Sequence, residues 1–270
     1  MLDDRAGDDP PKPSAIGSVA RVIRLLEAVA TSDTNGGVRA LARESGIDKS
    51  AVSRLLRQLT DLDVLEPSEV AGRYGIGPRL FALARAVSSK DELGRAARPI
   101  LESIVATCNE TSYMAVRERN EVFFREKIEC DQPIRYVIDQ ARPSPIHAGS
   151  AGRAILSALS DEEFEGVIGG HSLDAVTPHT ITDRVELRRR RAEDRQRGYT
   201  VSVAERSVGG CGVAAPFFGS DGRCLGSIVI TMPQTRFHPT NVPLWGAAMV
   251  AGAQQLSRRL GGSTNGVMRV

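Results

Sequence analysis

Between residues 16 and 32, apolar side chains fall at 16, 19, 22, 23, 25, 26 and 29, with Arg21, Arg24 and Glu27 between them. That is the period of an amphipathic helix. Asn35-Gly36-Gly37 breaks the pattern. Val38–Ser45 then reads as a short helix, with Gly46 where a C-cap glycine belongs. Asp48 stands at the N-cap of a further helix from Lys49 to about Leu62, with Val52, Leu55, Leu56 and Leu59 on its buried side. Beyond it, 63–66 and 73–76 read as two short strands around a turn at 67–72.

After residue 90 the pattern changes. The stretch 91–108 has Leu93, Ala97, Ile100, Leu101 and Ile104 on one side of a long helix, in which Pro99 predicts a local break or kink. Period-two alternation then predicts strands at 112–117, 122–129 and 134–139. Helices are expected at 151–159, 161–166 and 185–197, the last ending at Gly198. Strands follow at 199–204, 212–217 and 224–231, and a closing helix at 242–260. Strand runs interrupted by helices indicate an α+β domain on an antiparallel sheet.

Two short helices joined by a tight glycine turn form a helix-turn-helix unit, and the strand pair after it makes the unit winged. Ala42 is small where the helices cross, Gly46 follows at the turn, and Val52 enters the core. The second helix then exposes Lys49, Ser50, Ser53, Arg54 and Arg57, with no acid between 49 and 60. Such a face suits a DNA major groove: Ser50, Ser53, Arg54 and Lys49 approach bases and phosphates, while Arg57 and Arg73 hold the backbone. Tyr74, beside Arg73 in the wing, is counted with them.

Charge sharpens this picture only when it is divided along the chain. The 270 residues carry 35 Lys+Arg and 33 Asp+Glu, a net of +2. Residues 1–15 are net −2, 16–90 net +3 and 91–270 net +1, so the positive excess belongs to the first ordered segment. The acidic, proline-rich residues 1–15 are expected to be a disordered tail, and 263–270 a flexible C-terminus. No run approaches the ~20 apolar residues of a bilayer span, and the N-terminus is unlike a signal peptide, so a cytoplasmic protein is expected. Cys108, Cys130, Cys211 and Cys224 lack the spacing of a zinc or redox site, and the four histidines are scattered. No metal, cofactor or catalytic residue is expected.

The stretches SVARVIRLLEAVA at 18–30 and VRALARESGIDKSAVSRLLRQLTDLDVLEPSEVAGRYGIGPRLFALA at 38–84 resemble the N-terminal domain of the IclR family of bacterial transcriptional regulators. The wing ending Gly72-Arg73-Tyr74-x-Ile76-Gly77 is especially specific to that family. The resemblance runs on to about residue 260. It passes through Ile146-His147-Ala148-x-x-Ala151-Gly152-Arg153-Ala154, Thr177-Pro178, Arg197-Gly198-Tyr199, Glu205 with Gly209, and Ala214-Ala215-Pro216.

It implies a winged helix-turn-helix domain at 16–88, a linker helix region at 89–108, and a GAF-like effector-binding and oligomerisation domain at 109–262. It also implies a pocket whose residues here are Gly149, Ser150 and Ala151 at a helix N-terminus, Gly209, Gly210, Cys211 and Gly212 in a loop, and Val229 and Thr231 on the facing strand. Amides at that helix terminus suit an anion. The strand carries Val229 and Thr231 where the family often has small hydroxyl residues, so the ligand expected is a larger or partly apolar carboxylate. The family implies further partners, operator DNA and other copies of the chain in a homodimer or homotetramer, and the more common family role is repression.

A different class stays open. Cys211 on its glycine turn, with His147 as base and Glu205 or Asp139 orienting it, is an arrangement an enzyme would use. The helix-turn-helix would then serve assembly alone. His147 also suits a structural role. Arg188–Arg191 offers a second basic patch, but Glu186, Glu193 and Asp194 flank it, which favours an ion-paired face.

Overall fold

A computed structural model of the chain describes residues 17–31, 37–69, 72–88, 91–170 and 172–262. The expected tail at 1–15, the break at Asn35-Gly36, part of the wing turn and the C-terminus from 263 lie outside the described residues. The chain divides into two compact units, one ending at residue 90 and one beginning at 91.

The first unit contains α1 (Ser18–Thr31), α2 (Val38–Ser45), α3 (Lys49–Asp61), β1 (Leu65–Pro67), β2 (Tyr74–Ile76) and α4 (Pro78–Ser88). Gly46 closes α2 with φ +67°, and its amide donates to the Ala42 carbonyl. Only glycine adopts that backbone freely, which makes the tight turn into α3 a local instruction. Leu25, Leu41, Val52, Leu56 and Leu65 are buried together at the centre. The apolar stripe of α1 is wider than what it buries: Val19 and Ile23 are 74% and 50% exposed. β1 and β2 pair antiparallel, Leu65 opposite Ile76, as the wing.

The second unit begins with α5 (Glu92–Cys108), β3 (Thr111–Glu118), β4 (Glu121–Ile128) and β5 (Ser144–Pro145). It continues through α6 (Ser150–Ala158), α7 (Asp161–Gly169), α8 (Arg184–Arg197), β6 (Thr200–Val203), β7 (Gly210–Phe218), β8 (Cys224–Pro233) and α9 (Val242–Arg259). The six strands form one antiparallel sheet in the order β5-β4-β3-β8-β7-β6. Alternation along the strands divides two cores. Met114, Val213, Phe217, Ile228, Ile230 and Met232 pack with α5 and α9, including Trp245 and Met249. Tyr113, Ala115, Ala214 and Val229 pack on the other face with Ala154, Ile155 and Phe164 of α6 and α7.

Three expectations change here. The segment 89–108, expected to be a linker helix region, contains α5, but its Ala97, Ile100, Leu101 and Ile104 belong to the sheet's core rather than to a connector. Pro99 sits inside α5, which runs through it without the break that was one of the two expected outcomes. Residues 134–139, read as a strand, form an irregular strap instead. Side chains pin its backbone where a ladder would otherwise be needed. The Ile138 amide donates to the Tyr113 hydroxyl at 2.9 Å, and Thr231 donates to the Tyr136 carbonyl at 3.1 Å. The Ile134 carbonyl accepts from Arg236 at 2.6 Å.

Gly152 marks the tightest point beneath α6. A β-carbon there would fall on the backbone carbonyl of Ile146, which no side-chain rotation relieves. Gly152→Ala is therefore expected to lower the thermal midpoint of the second unit by several degrees, read by calorimetry. An unchanged midpoint would mean that the 146–152 turn is not held as described.

Candidate functional site

Asp48 caps α3: its carboxylate accepts from the Ser50 and Ala51 amides at 3.0 Å each, and from the Ser50 hydroxyl at 2.6 Å. That hydroxyl, then the amides, holds the Asp48 carboxyl below its ordinary pKa. Ala51, Val52, Leu56 and Leu59 point inward. Lys49, Ser50, Ser53, Arg54 and Arg57 are all exposed, and at 100° per residue they share an arc of about 140°. None of the three cations has an ion pair among the described residues. Ser50 is less free than expected, because its proton is committed to Asp48 and only its lone pairs remain to accept.

Arg73 stands at the base of β2, bridged to Gly37, with its carbonyl accepting from Ser68. Tyr74 is half-buried against the unit's core, so its ring packs as well as facing outward. The arginine run of α8 is different in kind. Arg188 pairs with Glu165, Arg189 and Arg190 with Glu186, and Arg191 with Asp161. This is the ion-paired face the flanking acids indicate.

In the second unit a cavity of about 30 Å³, room for one or two waters, lies where the start of α6 meets the sheet. Gly149, Ser150, Ala151, Gly210, Gly212, Val229 and Thr231 are among the residues that line it. The glycines explain the closeness. A β-carbon at Gly212 would stand 2.5 Å from the Ser150 hydroxyl, and one at Gly210 would stand 2.7 Å from the Tyr136 ring. The Ser150 amide, expected to face a ligand, donates to the Ser202 hydroxyl at 3.0 Å instead.

Sequence reasoning missed Phe124, Tyr136, Ile138, Ser202, Arg206 and Ser207, which complete the lining. They come from β4, the strap, β6 and the loop after it, so no local motif gathers them. Arg206 lies with its guanidinium 5.5 Å from the Phe124 ring centroid and 5.9 Å from that of Tyr136. Its stem packs on Gly149. Burial lowers its pKa, opposed by the Tyr136 and Tyr113 hydroxyls.

A buried ion cluster holds this corner together. Arg153 of α6, 2% exposed, donates to both Glu205 oxygens at 2.7 and 3.0 Å and to Asp194 of α8 at 2.7 Å. Arg197 also pairs with Asp194. Thr177 and Thr180 donate to the Glu205 carbonyl at 3.1 and 2.7 Å. The loop carrying Arg206 is thereby fixed to α6 through its neighbour Glu205.

Two pocket residues need correction. Gly209 is not at the cavity; with φ +77° it makes the turn into β7, and its carbonyl accepts from Gln234. Cys211 borders the cavity, but its side chain alternates to the other face and packs in the core with Met232 opposite. Burial raises the Cys211 thiol's pKa. His147 is buried, its Nε2 3.0 Å from the Asp174 carbonyl, and it does not line this cavity. The cysteine–histidine arrangement that an enzyme would need is therefore not assembled.

Comparison with known proteins agrees with both units. A family model described as the IclR helix-turn-helix domain matches residues 18–69, and one described as the bacterial transcriptional regulator IclR C-terminal region matches 85–258. The HTH-type transcriptional regulator KipR of Bacillus subtilis is 29% identical over 217 residues, 80% of this chain and 86% of that protein. The transcriptional repressor IclR of Escherichia coli K12 is 26% identical over 254 residues, 93% of each chain. Among solved structures, the IclR regulator of Alicyclobacillus acidocaldarius superposes with a TM-score of 0.79 at 23% identity, covering 91% of this chain and 98% of that one. An IclR homolog of Microbacterium hydrocarbonoxydans complexed with 4-hydroxybenzoate gives 0.73 at 26% identity, covering 89% and 99%.

Proposed function

Because the chain belongs to the IclR family of bacterial transcriptional regulators, we propose that α3 and the wing grip operator DNA while a small carboxylate in the α6 cavity sets that affinity. The observation that carries this is the arc of α3, where Lys49, Arg54 and Arg57 stand exposed and free of acids, unlike the paired arginines of α8. Arg54 and Ser53 read base edges; Lys49, Arg57 and Arg73 neutralise phosphates; Ser50 accepts only. The protein acts in the bacterial cytoplasm and catalyses no reaction. Among the described residues no helix is long and apolar enough to cross a membrane.

One head offers few cations, and affinity rises with the number of phosphates neutralised. Specific binding therefore takes at least a dimer. Val19 and Ile23 on α1, with Phe81 and Leu83 on α4, all exposed, are apolar surface that a second copy would cover. Repression is the sense proposed, in keeping with the relatives named as repressors. A gel shift on DNA from the protein's own upstream region is the direct test. A complex that unrelated duplex does not compete away supports the reading, and no complex at low salt rejects it.

The ligand class follows from the lining, which is aromatic and apolar on one side and carries one cation. A thermal-shift series is expected to show 4-hydroxybenzoate, the ligand of the Microbacterium homolog, raising the melting point more than glyoxylate or pyruvate at equal concentration. The reverse order would assign the pocket to short polar acids.

A further inference from the structure

Among the described residues lining the cavity, Arg206 is the one charged side chain, and it has no counter-charge. Its guanidinium makes no hydrogen bond or ion pair within the described residues. The adjacent Glu205 is turned away into the pair with Arg153. With the Ser150 amide taken by Ser202, the helix terminus offers a carboxylate less than the sequence indicates. The guanidinium offers more: a planar donor fork matched to a carboxylate. A cation kept partly buried without a partner costs stability. Phe124 and Tyr136 offset some of that cost.

The cavity, at about 30 Å³, does not hold an aromatic ring while the guanidinium lies over these two side chains. A surface that accepts a planar cation accepts a planar ring. We propose that Arg206 is the specificity-determining residue of the pocket and that the ligand is a planar aromatic carboxylate. The ring takes the place on Phe124 and Tyr136 that the guanidinium occupies, and the carboxylate pairs with the displaced guanidinium. Ile138 and Val229 wall the ring, and no acid among the described residues of the lining opposes the carboxylate. This rests on the effector reading above and adds the residue that enforces it.

The test is calorimetric titration of the full chain with 4-hydroxybenzoate, its neutral amide 4-hydroxybenzamide, and cyclohexanecarboxylate. Wild type should bind the acid at least about tenfold tighter than the amide, as a charge-assisted pair implies, and tighter than the non-aromatic acid. Arg206→Met should erase the acid–amide difference by weakening the acid while leaving the amide's affinity in place. Arg206→Lys, which keeps the charge without the fork, should retain part of the preference. Equal binding of acid and amide by wild type, no binding of either, or a preference that survives in Arg206→Met overturns the proposal. Operator gel shifts separate the two readings. An acid that binds through Arg206 without altering operator affinity removes the regulatory reading alone. An acid that alters it equally in wild type and Arg206→Met removes the Arg206 assignment alone.

Discussion

Arg153→Met should cost about 3–5 kcal/mol of stability, seen as a lower urea midpoint for the second unit. The side chain is 2% exposed and holds two carboxylates, Asp194 at 1% and Glu205 at 9%. Methionine fills much of the volume but leaves Glu205 buried without its ion-pair partner and Asp194 with Arg197 alone. Burial already raises the Glu205 pKa, and Arg153, with a smaller contribution from Arg190, opposes it. Removing Arg153 therefore raises it further. A carboxyl whose folded pKa lies above its unfolded value loses stability as pH rises through the folded value. The variant's deficit should accordingly be larger at pH 7.5 than at pH 5. A loss below about 1 kcal/mol, or one that does not change with pH, would mean that the cluster does not hold α6, α8 and the Arg206 loop together.

The second large effect is on DNA. Arg54→Ala should lower operator affinity by about 1–3 kcal/mol, roughly five- to 150-fold, if Arg54 reads a base edge. The loss should be confined to the operator, with affinity for unrelated duplex changing little. Arg57→Ala should weaken all sequences alike and reduce the salt slope by about one. The structure makes the pair a fair comparison, since both arginines are exposed on α3 with no acid partner among the described residues. A gel-shift series in which neither substitution matters would remove α3 from the interface. A uniform loss for Arg54→Ala would reassign it to phosphate.

The helix-turn-helix was legible because its instructions are local. Gly46 needs the left-handed backbone it adopts, and Asp48 caps the helix that follows it. The pocket was half legible. Its glycines mark where backbone and side chains approach closely, but Arg206, Tyr136 and Phe124 meet there only through the tertiary fold. The strap misled because Ile134, Tyr136 and Ile138 alternate as a strand would. Ile134 is 71% exposed and Ile138 is buried, so the alternation serves no sheet face. Cys211 was readable in principle: in a strand, Gly210 and Gly212 share one face and the residue between them takes the other.

A ligand in the cavity that sets DNA affinity, as proposed, must obey reciprocity, because coupling free energies between two sites are equal in both directions. Operator affinity should therefore be measured by fluorescence anisotropy with and without saturating 4-hydroxybenzoate, and acid affinity with and without saturating operator. Both should change by the same factor, about five- to 150-fold. Tight operator binding with no change on adding an acid that demonstrably binds would mean that the cavity does not control the DNA surface.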